Sequence, residues 1–185
     1  MTITTAGTEV AYTITYLEMT EPPRTAPALP DDVRLERCVQ PPVWFFLSLY
    51  DAVGRMYEWV DKFAEDPEDL HDFVQHPEVA LFVAYRHGWP AGFFQLDWRS
   101  PGVCDLAYFG LVPEAIGGGI GGTLLRTAIA TGWERDGVRR MTVNTCTLDH
   151  PRALELYKRM GFSPVRTEEH TRILTRDRDT SQFPA

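Results

Sequence analysis

Residues 113–125, PEAIGGGIGGTLL, hold five glycines between an apolar run and a segment of helical periodicity. A strand that passes through glycines into a helix is a physical recipe for holding an anion. Without a Cβ the backbone comes close and aims several N–H groups at one point, and the helix N-terminus adds about half a positive charge there. Pyrophosphate is the natural guest. Gly117, Gly119 and Gly122 spell the dinucleotide pattern G-x-G-x-x-G. A Walker A loop closes on G-K-[ST], whereas this loop closes on GGT with no lysine. A Rossmann loop follows the first strand of a βαβ unit and is answered by an acidic residue about 20 positions on. Here the loop lies past the middle of the chain, behind an antiparallel meander, and the next strand closes on Asn144 and Thr145. The dinucleotide match is one of spelling, and an NAD(P)-binding protein stands as the last alternative. The plain structural reading is a glycine turn that serves tight strand–helix packing.

The elements that must present this loop are legible on either side of it. Residues 10–19, rich in Thr, Tyr, Ile and Val, read as a strand, and the proline-punctuated residues 21–32 as a loop or linker. After Gln40 a helix is expected, with Phe46, Leu49, Tyr50, Val53 and Tyr57 at spacings of three and four on one face. A second helix starts with Asp66 as N-cap, Pro67 at its first position, and Glu68 and Asp69 in its first turn. Leu70, Phe73 and Val74 form its buried side. Strands are expected over 79–86, 91–98 and 104–112, joined by short turns at His87-Gly88 and Pro101-Gly102, which make an antiparallel meander. The glycine loop feeds a helix with the stripe Leu125, Ile129 and Trp133, followed by a strand over 139–147. A last helix over 151–160 puts Ala153, Leu156, Tyr157 and Met160 on one face and stops at Gly161. The tail 163–177 offers a final strand. The order is β-αα-βββ-α-β-α-β, an α+β sheet with helices packed on its faces.

With 185 residues, 44% of them hydrophobic, the chain is long enough for one full core, and a single domain over 1–185 is expected. A formal net charge of −8 speaks against a nucleic-acid binder, whose footprint is basic. Cys38, Cys104 and Cys146 are odd in number, scattered and without C-x-x-C spacing. Neither a disulfide framework nor a metal site is expected from them, and a reducing compartment is. The first residues show no basic segment ahead of an apolar core, and no run approaches about 18 apolar residues. The expectation is a soluble cytoplasmic protein with neither signal peptide nor membrane span.

LVPEAIGGGIGGTLL, followed after one strand by HPRALELYKRMGF, resembles the GCN5-related N-acetyltransferase (GNAT) family over residues 79–165. The family's acyl-CoA loop, [QR]-x-x-G-x-[GA], falls on Ile116, Gly117, Gly118, Gly119, Ile120 and Gly121. Its second signature, N-x-x-A-x-x-x-Y-x-x-x-G-F, falls on His150, Ala153, Tyr157, Gly161 and Phe162. Two residues depart from the pattern: Ile116 stands for the polar Gln or Arg, and His150 for Asn. FGLVPEAIG and TCTLDHP look like a bacterial branch of the family. The resemblance implies a central mixed, mostly antiparallel sheet flanked by helices, with two splayed parallel strands at the cofactor site, here over 107–112 and 141–145. It implies that acetyl-CoA lies between them. Backbone groups of Leu111 and Val112 would pair with its pantetheine arm, the loop from Gly117 through Gly122 to Thr123 would take its pyrophosphate, and His150 would sit at a family contact position.

The resemblance further implies direct attack of an amine on the thioester, which makes two demands. An alkylammonium of pKa ~10.4 is neutral in only about one part in 2,500 at pH 7, a deficit of ~4.6 kcal/mol, so a carboxylate or histidine must take its proton. The departing thiolate needs a proton donor. Tyr157 matches the family tyrosine and is the expected donor; it also lies on an apolar helix face, where a core role would suffice. Asp105, on the strand before the loop, is the expected base, against the plainer reading of a solvated strand-end carboxylate. Glu114 reads as a loop cap or solvent-facing residue, His150 also as part of the last helix's start, and Cys146 as an inert strand residue. Trp44, Phe45, Phe46, Tyr50, Tyr57 and Trp59 read mostly as core, with an aromatic acceptor pocket as a further expectation. The implied acceptor is a small-molecule or peptide amine, and the family's habit of dimerising implies a homodimer. A catalytically silent acyl-CoA-binding or sensor module is the alternative.

Overall fold

A computed structural model describes residues 3–23 and 28–183. Seven strands form one sheet in the order β3-β4-β5-β6-β7-β2-β8. They are β2 (Glu9–Met19), β3 (Val33–Arg37), β4 (Val79–Arg86), β5 (Trp89–Asp97), β6 (Val103–Leu111), β7 (Arg140–Cys146) and β8 (Ser163–Ile173). Neighbours pair antiparallel except β6 and β7, which run parallel. The expected meander is β4-β5-β6, and the tail strand is β8. Residues 24–27 of the expected 21–32 linker lie outside the described residues; the rest of it carries neither helix nor strand.

Strand β3 directly follows that linker and is absent from the sequence reading. VRLER is short and carries three charges, the pattern of a strand at an open edge, where charge protects against stray pairing. A second small sheet, β1 (Ile3–Thr4) with β9 (Arg178–Asp179), joins the two ends of the described chain and also has no local signature.

The helices form where their apolar spacing placed them. In α1 (Val43–Gly54) the residues Phe46, Leu49, Tyr50 and Val53 are buried, and the stripe continues into Tyr57 through a 3₁₀ turn. The start of α2 (Pro67–Gln75) is capped by Asp66, whose Oδ1 accepts from the N–H of Glu68 at 2.9 Å and of Asp69 at 3.4 Å. An Asp66→Ala chain should lose about 1 kcal/mol of stability in urea unfolding, most of it restored by Ser.

The face of the sheet that α3 (Gly121–Trp133) covers decides where the chemistry lies. A Cβ on Gly132 would stand 2.6 Å from Met141 and 3.0 Å from Cys104, so these paired residues of β6 and β7 turn towards α3. Side chains alternate along a strand, so the next pair, Asp105 and Thr142, turns to the other face. There Tyr108 meets Phe46 and Tyr50 of α1. The short α4 (Ala153–Arg159) packs on β7 and β8 and ends at Gly161, whose φ of +103° lets Phe162 N–H reach back to the Tyr157 carbonyl at 3.1 Å.

Candidate active site

The parallel ladder of β6 and β7 is only three pairs long: Val103 with Arg140, Cys104 with Met141, Asp105 with Thr142. Immediately beyond it the register of β6 against β5 shifts. Leu96 faces Leu106 while Gln95 faces Tyr108, which makes Ala107 the extra residue of a bulge. A bulge bends its strand, and β6 parts from β7 at this point. A cavity of about 410 Å³ lies in the opening. Residues 106–111 of β6 form one wall, and Asn144 and Thr145 of β7 the other.

At one end stands the glycine loop. After a 3₁₀ turn over Pro113–Ala115 and an extended Ile116, Gly117 and Gly119 take φ of +82° and +79°. Only glycine adopts this backbone without strain. A Cβ at either position would meet nothing within 4 Å, so the space beside the loop is open. Helix α3 then begins with no side-chain cap at Ile120, which leaves its first N–H groups available to an anion. Arg86 props the loop from behind: its Nη1 donates to the Gly118 carbonyl at 3.2 Å and its Nε to Asp32 at 2.7 Å.

The expected loop residues divide. Gly117, Gly119, Gly121 and Gly122 line the cavity; Gly118 and Thr123 do not, and Ile120 is a core residue. Leu111 lines it as well. Val112 does not, because its N–H is given to the Ala91 carbonyl at 3.0 Å and its carbonyl accepts from Ala115 at 2.9 Å. Both backbone groups of Val112 thus have partners within the chain. His150 lines the cavity, with its Nδ1 accepting from Arg152 N–H at 3.1 Å. Ile116 adds only an apolar side chain, and the cations at the lining are Arg152 and Arg159, which the sequence reading passed over.

Tyr157 reaches the cavity wall from α4 although it is only 7% exposed. Burial raises its phenol above the usual range, helped by the carboxylates of Asp149 and Asp105, so it carries its proton at any working pH. Asp105 sits at the closed vertex of the splay and does not itself line the cavity; its neighbours Leu106 and Ala107 do. Its carboxyl accepts from Thr142 Oγ1. Burial is the main force raising its pKa and nearby Asp97 adds to it, while the Thr142 hydrogen bond and Arg99 pull the other way. Glu114 is exposed. Cys146 does not line the cavity, and burial pushes its thiol up to about 11, so it holds no thiolate near neutral pH.

One further residue, Asp149, was not singled out by sequence. Asp149 Oδ1 accepts from Trp59 Nε1 at 3.0 Å, and its Oδ2 accepts from Thr145 Oγ1 at 2.7 Å and Cys146 N–H at 2.9 Å. The local turn was readable from Thr145 and Asp149 four residues apart; the Trp59 contact spans 90 residues and has no local signal. Tyr57, Trp59 and Val53 bring the α1 side to the cavity, whereas Trp44 is exposed and Phe46 and Tyr50 stay in the core. Among the described residues no group of three or more His, Cys, Asp or Glu is placed to hold a metal ion, and no helix is long and apolar enough to cross a membrane.

Comparison with solved structures gives the same architecture. A GCN5-related N-acetyltransferase from Sphaerobacter thermophilus superposes with a TM-score of 0.60 at 18% identity, over 92% of this chain and 53% of its own. A tandem GNAT protein from the clavulanic acid biosynthesis pathway superposes with a TM-score of 0.60 at 16% identity, over 91% and 55%. An aminoglycoside acetyltransferase from an uncultured soil metagenomic sample superposes with 0.52 at 19% identity, over 70% and 88%. The chain thus spans about half the length of the first two. A search of curated proteins returned no match. The model of the acetyltransferase (GNAT) family matches residues 46–162, from the core of α1 to the glycine–phenylalanine stop after α4, and with the bulged, splayed strands between them the chain belongs to that family.

Proposed function

We propose that the protein is an acetyl-CoA-dependent N-acetyltransferase that acts on a primary amine by direct attack. The observation that carries this is one opening between β6 and β7 with an uncapped glycine loop at one end and the buried Tyr157 hydroxyl-bearing ring in its wall. The glycine cradle, the uncapped start of α3 and the cations Arg152 and Arg159 fit a pyrophosphate, and Leu111 offers backbone to the pantetheine arm. When bound, acetyl-CoA supplies the thioester. Asp105, its pKa raised by burial on the α1 face, takes one proton from the acceptor's ammonium through an intervening water; the Tyr157 hydroxyl gives its proton to the departing sulfur and is replenished by the second proton that the nitrogen loses as the amide forms. Asp105 accepts one hydrogen bond, from Thr142 Oγ1, and burial raises its pKa, which suits it to take up a proton. Three unpaired cysteines support a reducing, cytoplasmic setting.

Thermal shift decides between donors. Saturating acetyl-CoA should raise the melting temperature while NADH leaves it unchanged; stabilisation by NADH alone would overturn the reading. Replacing both Gly117 and Gly119 with alanine forces two side chains into left-handed backbone at about 1–2 kcal/mol each. Acetyl-CoA affinity measured by calorimetry should fall about 10-fold or more in that double variant, beyond its loss of thermal stability.

A further inference from the structure

We infer that the acceptor is a monocationic amine with an apolar, aromatic-sized body, its ammonium held by Asp149; this rests on the transferase reading. Among the described residues lining the cavity, Asp149 is the one carboxylate. A carboxylate offers about four lone-pair sites, and three are occupied by Trp59 Nε1, Thr145 Oγ1 and Cys146 N–H. One site, on Oδ1, is left for a cation. The three donors also fix the carboxylate's orientation, so it meets a ligand without reorganising.

The surroundings of that site are aromatic. Trp59 lies with its ring 5.5 Å from Tyr108 and 5.3 Å from Tyr50, and Gly54 makes room for it, since a Cβ there would stand 2.4 Å from the indole. Tyr57, 7% exposed, adds a second ring beside His150, with its own hydroxyl buried and lacking a partner. Aromatic faces next to a single carboxylate attract one ammonium and pack an apolar body behind it. The second and third ammonium groups of a polyamine or an aminoglycoside would lie against rings, or near Arg152 and Arg159, with no anion to pair with. Burying an unpaired charge is costly, so such acceptors are disfavoured by the wall itself.

The test uses CoA-saturated protein and two probes that differ only at the polar end, 2-phenylethylamine and its neutral counterpart 2-phenylethanol. Calorimetry should show the amine binding about 10-fold tighter or more in the native chain, the size of one charge-assisted hydrogen bond. In Asp149→Asn the preference should shrink to within about 2-fold while CoA affinity holds. A merely structural role for Asp149 would weaken both probes alike and leave their ratio intact. That unchanged ratio, no measurable binding of 2-phenylethylamine, or a higher kcat/KM for spermine or kanamycin than for 2-phenylethylamine would each overturn the inference. Failure of the native chain to bind CoA would overturn the transferase reading and this inference with it, and is separately visible in the first titration.

Discussion

Asp105→Asn should lower kcat by about 10²- to 10⁴-fold, the range of a positioned general base, while acetyl-CoA affinity stays near native because the loop lies at the other end of the opening. The same change should make the fold more stable at neutral pH. Burial raises the Asp105 carboxyl above its ordinary 3.8 in the folded chain. Between 3.8 and that raised value the folded chain keeps a proton that the unfolded chain has lost. Stability from this group is therefore full below the ordinary value and declines as pH climbs through the raised one. An asparagine accepts from Thr142 Oγ1 without carrying the buried charge, and removes that decline. Catalysis has the opposite slope: the base works only when ionised, so kcat/KM rises with pH through the raised pKa, and this acid limb should vanish in Asp105→Asn. Thr142→Val should move the limb to higher pH, because the hydrogen bond it removes is one of the two influences that lower the Asp105 pKa. An acid limb unchanged in both variants would assign the base elsewhere.

Tyr157→Phe should cut kcat by about 10²-fold or more with acetyl-CoA affinity retained. The ring's edge contact with Phe162, at 6.0 Å, survives the change, so thermal stability should hold within a few degrees. The variant thus separates the hydroxyl from the packing. An undiminished rate would make Tyr157 a core residue of α4 and leave the thiolate without its proposed donor.

What the sequence made legible was local. The Asp66 cap, the helical stripe from Phe46 to Tyr57, the glycine loop and the stop at Gly161 each lie within one stretch of chain and follow from backbone geometry. The splay was legible only through family resemblance, since the bulge at Ala107 is a matter of register between strands. Asp105 could be placed on its strand, but not at the vertex against Thr142, which is 37 residues away. Val112 could be placed at the end of its strand, but the partners of its backbone groups, Ala91 and Ala115, could not be read. Asp149 was not singled out because its decisive partner, Trp59, lies 90 residues away on the other side of the cleft. Contacts between distant segments are what a single sequence conceals, and they make up the acceptor half of this site.

The most direct measurement is product identification: the protein, acetyl-CoA and a panel of primary amines that includes 2-phenylethylamine, with free thiol and N-acetylated amine quantified together by mass spectrometry. The expected result is free CoA and N-acetyl product in equal amounts over many turnovers, with no acetyl group left on Cys146. Tight binding of acetyl-CoA with no N-acetylated product from any amine would contradict it, and would make the chain a silent acyl-CoA-binding module.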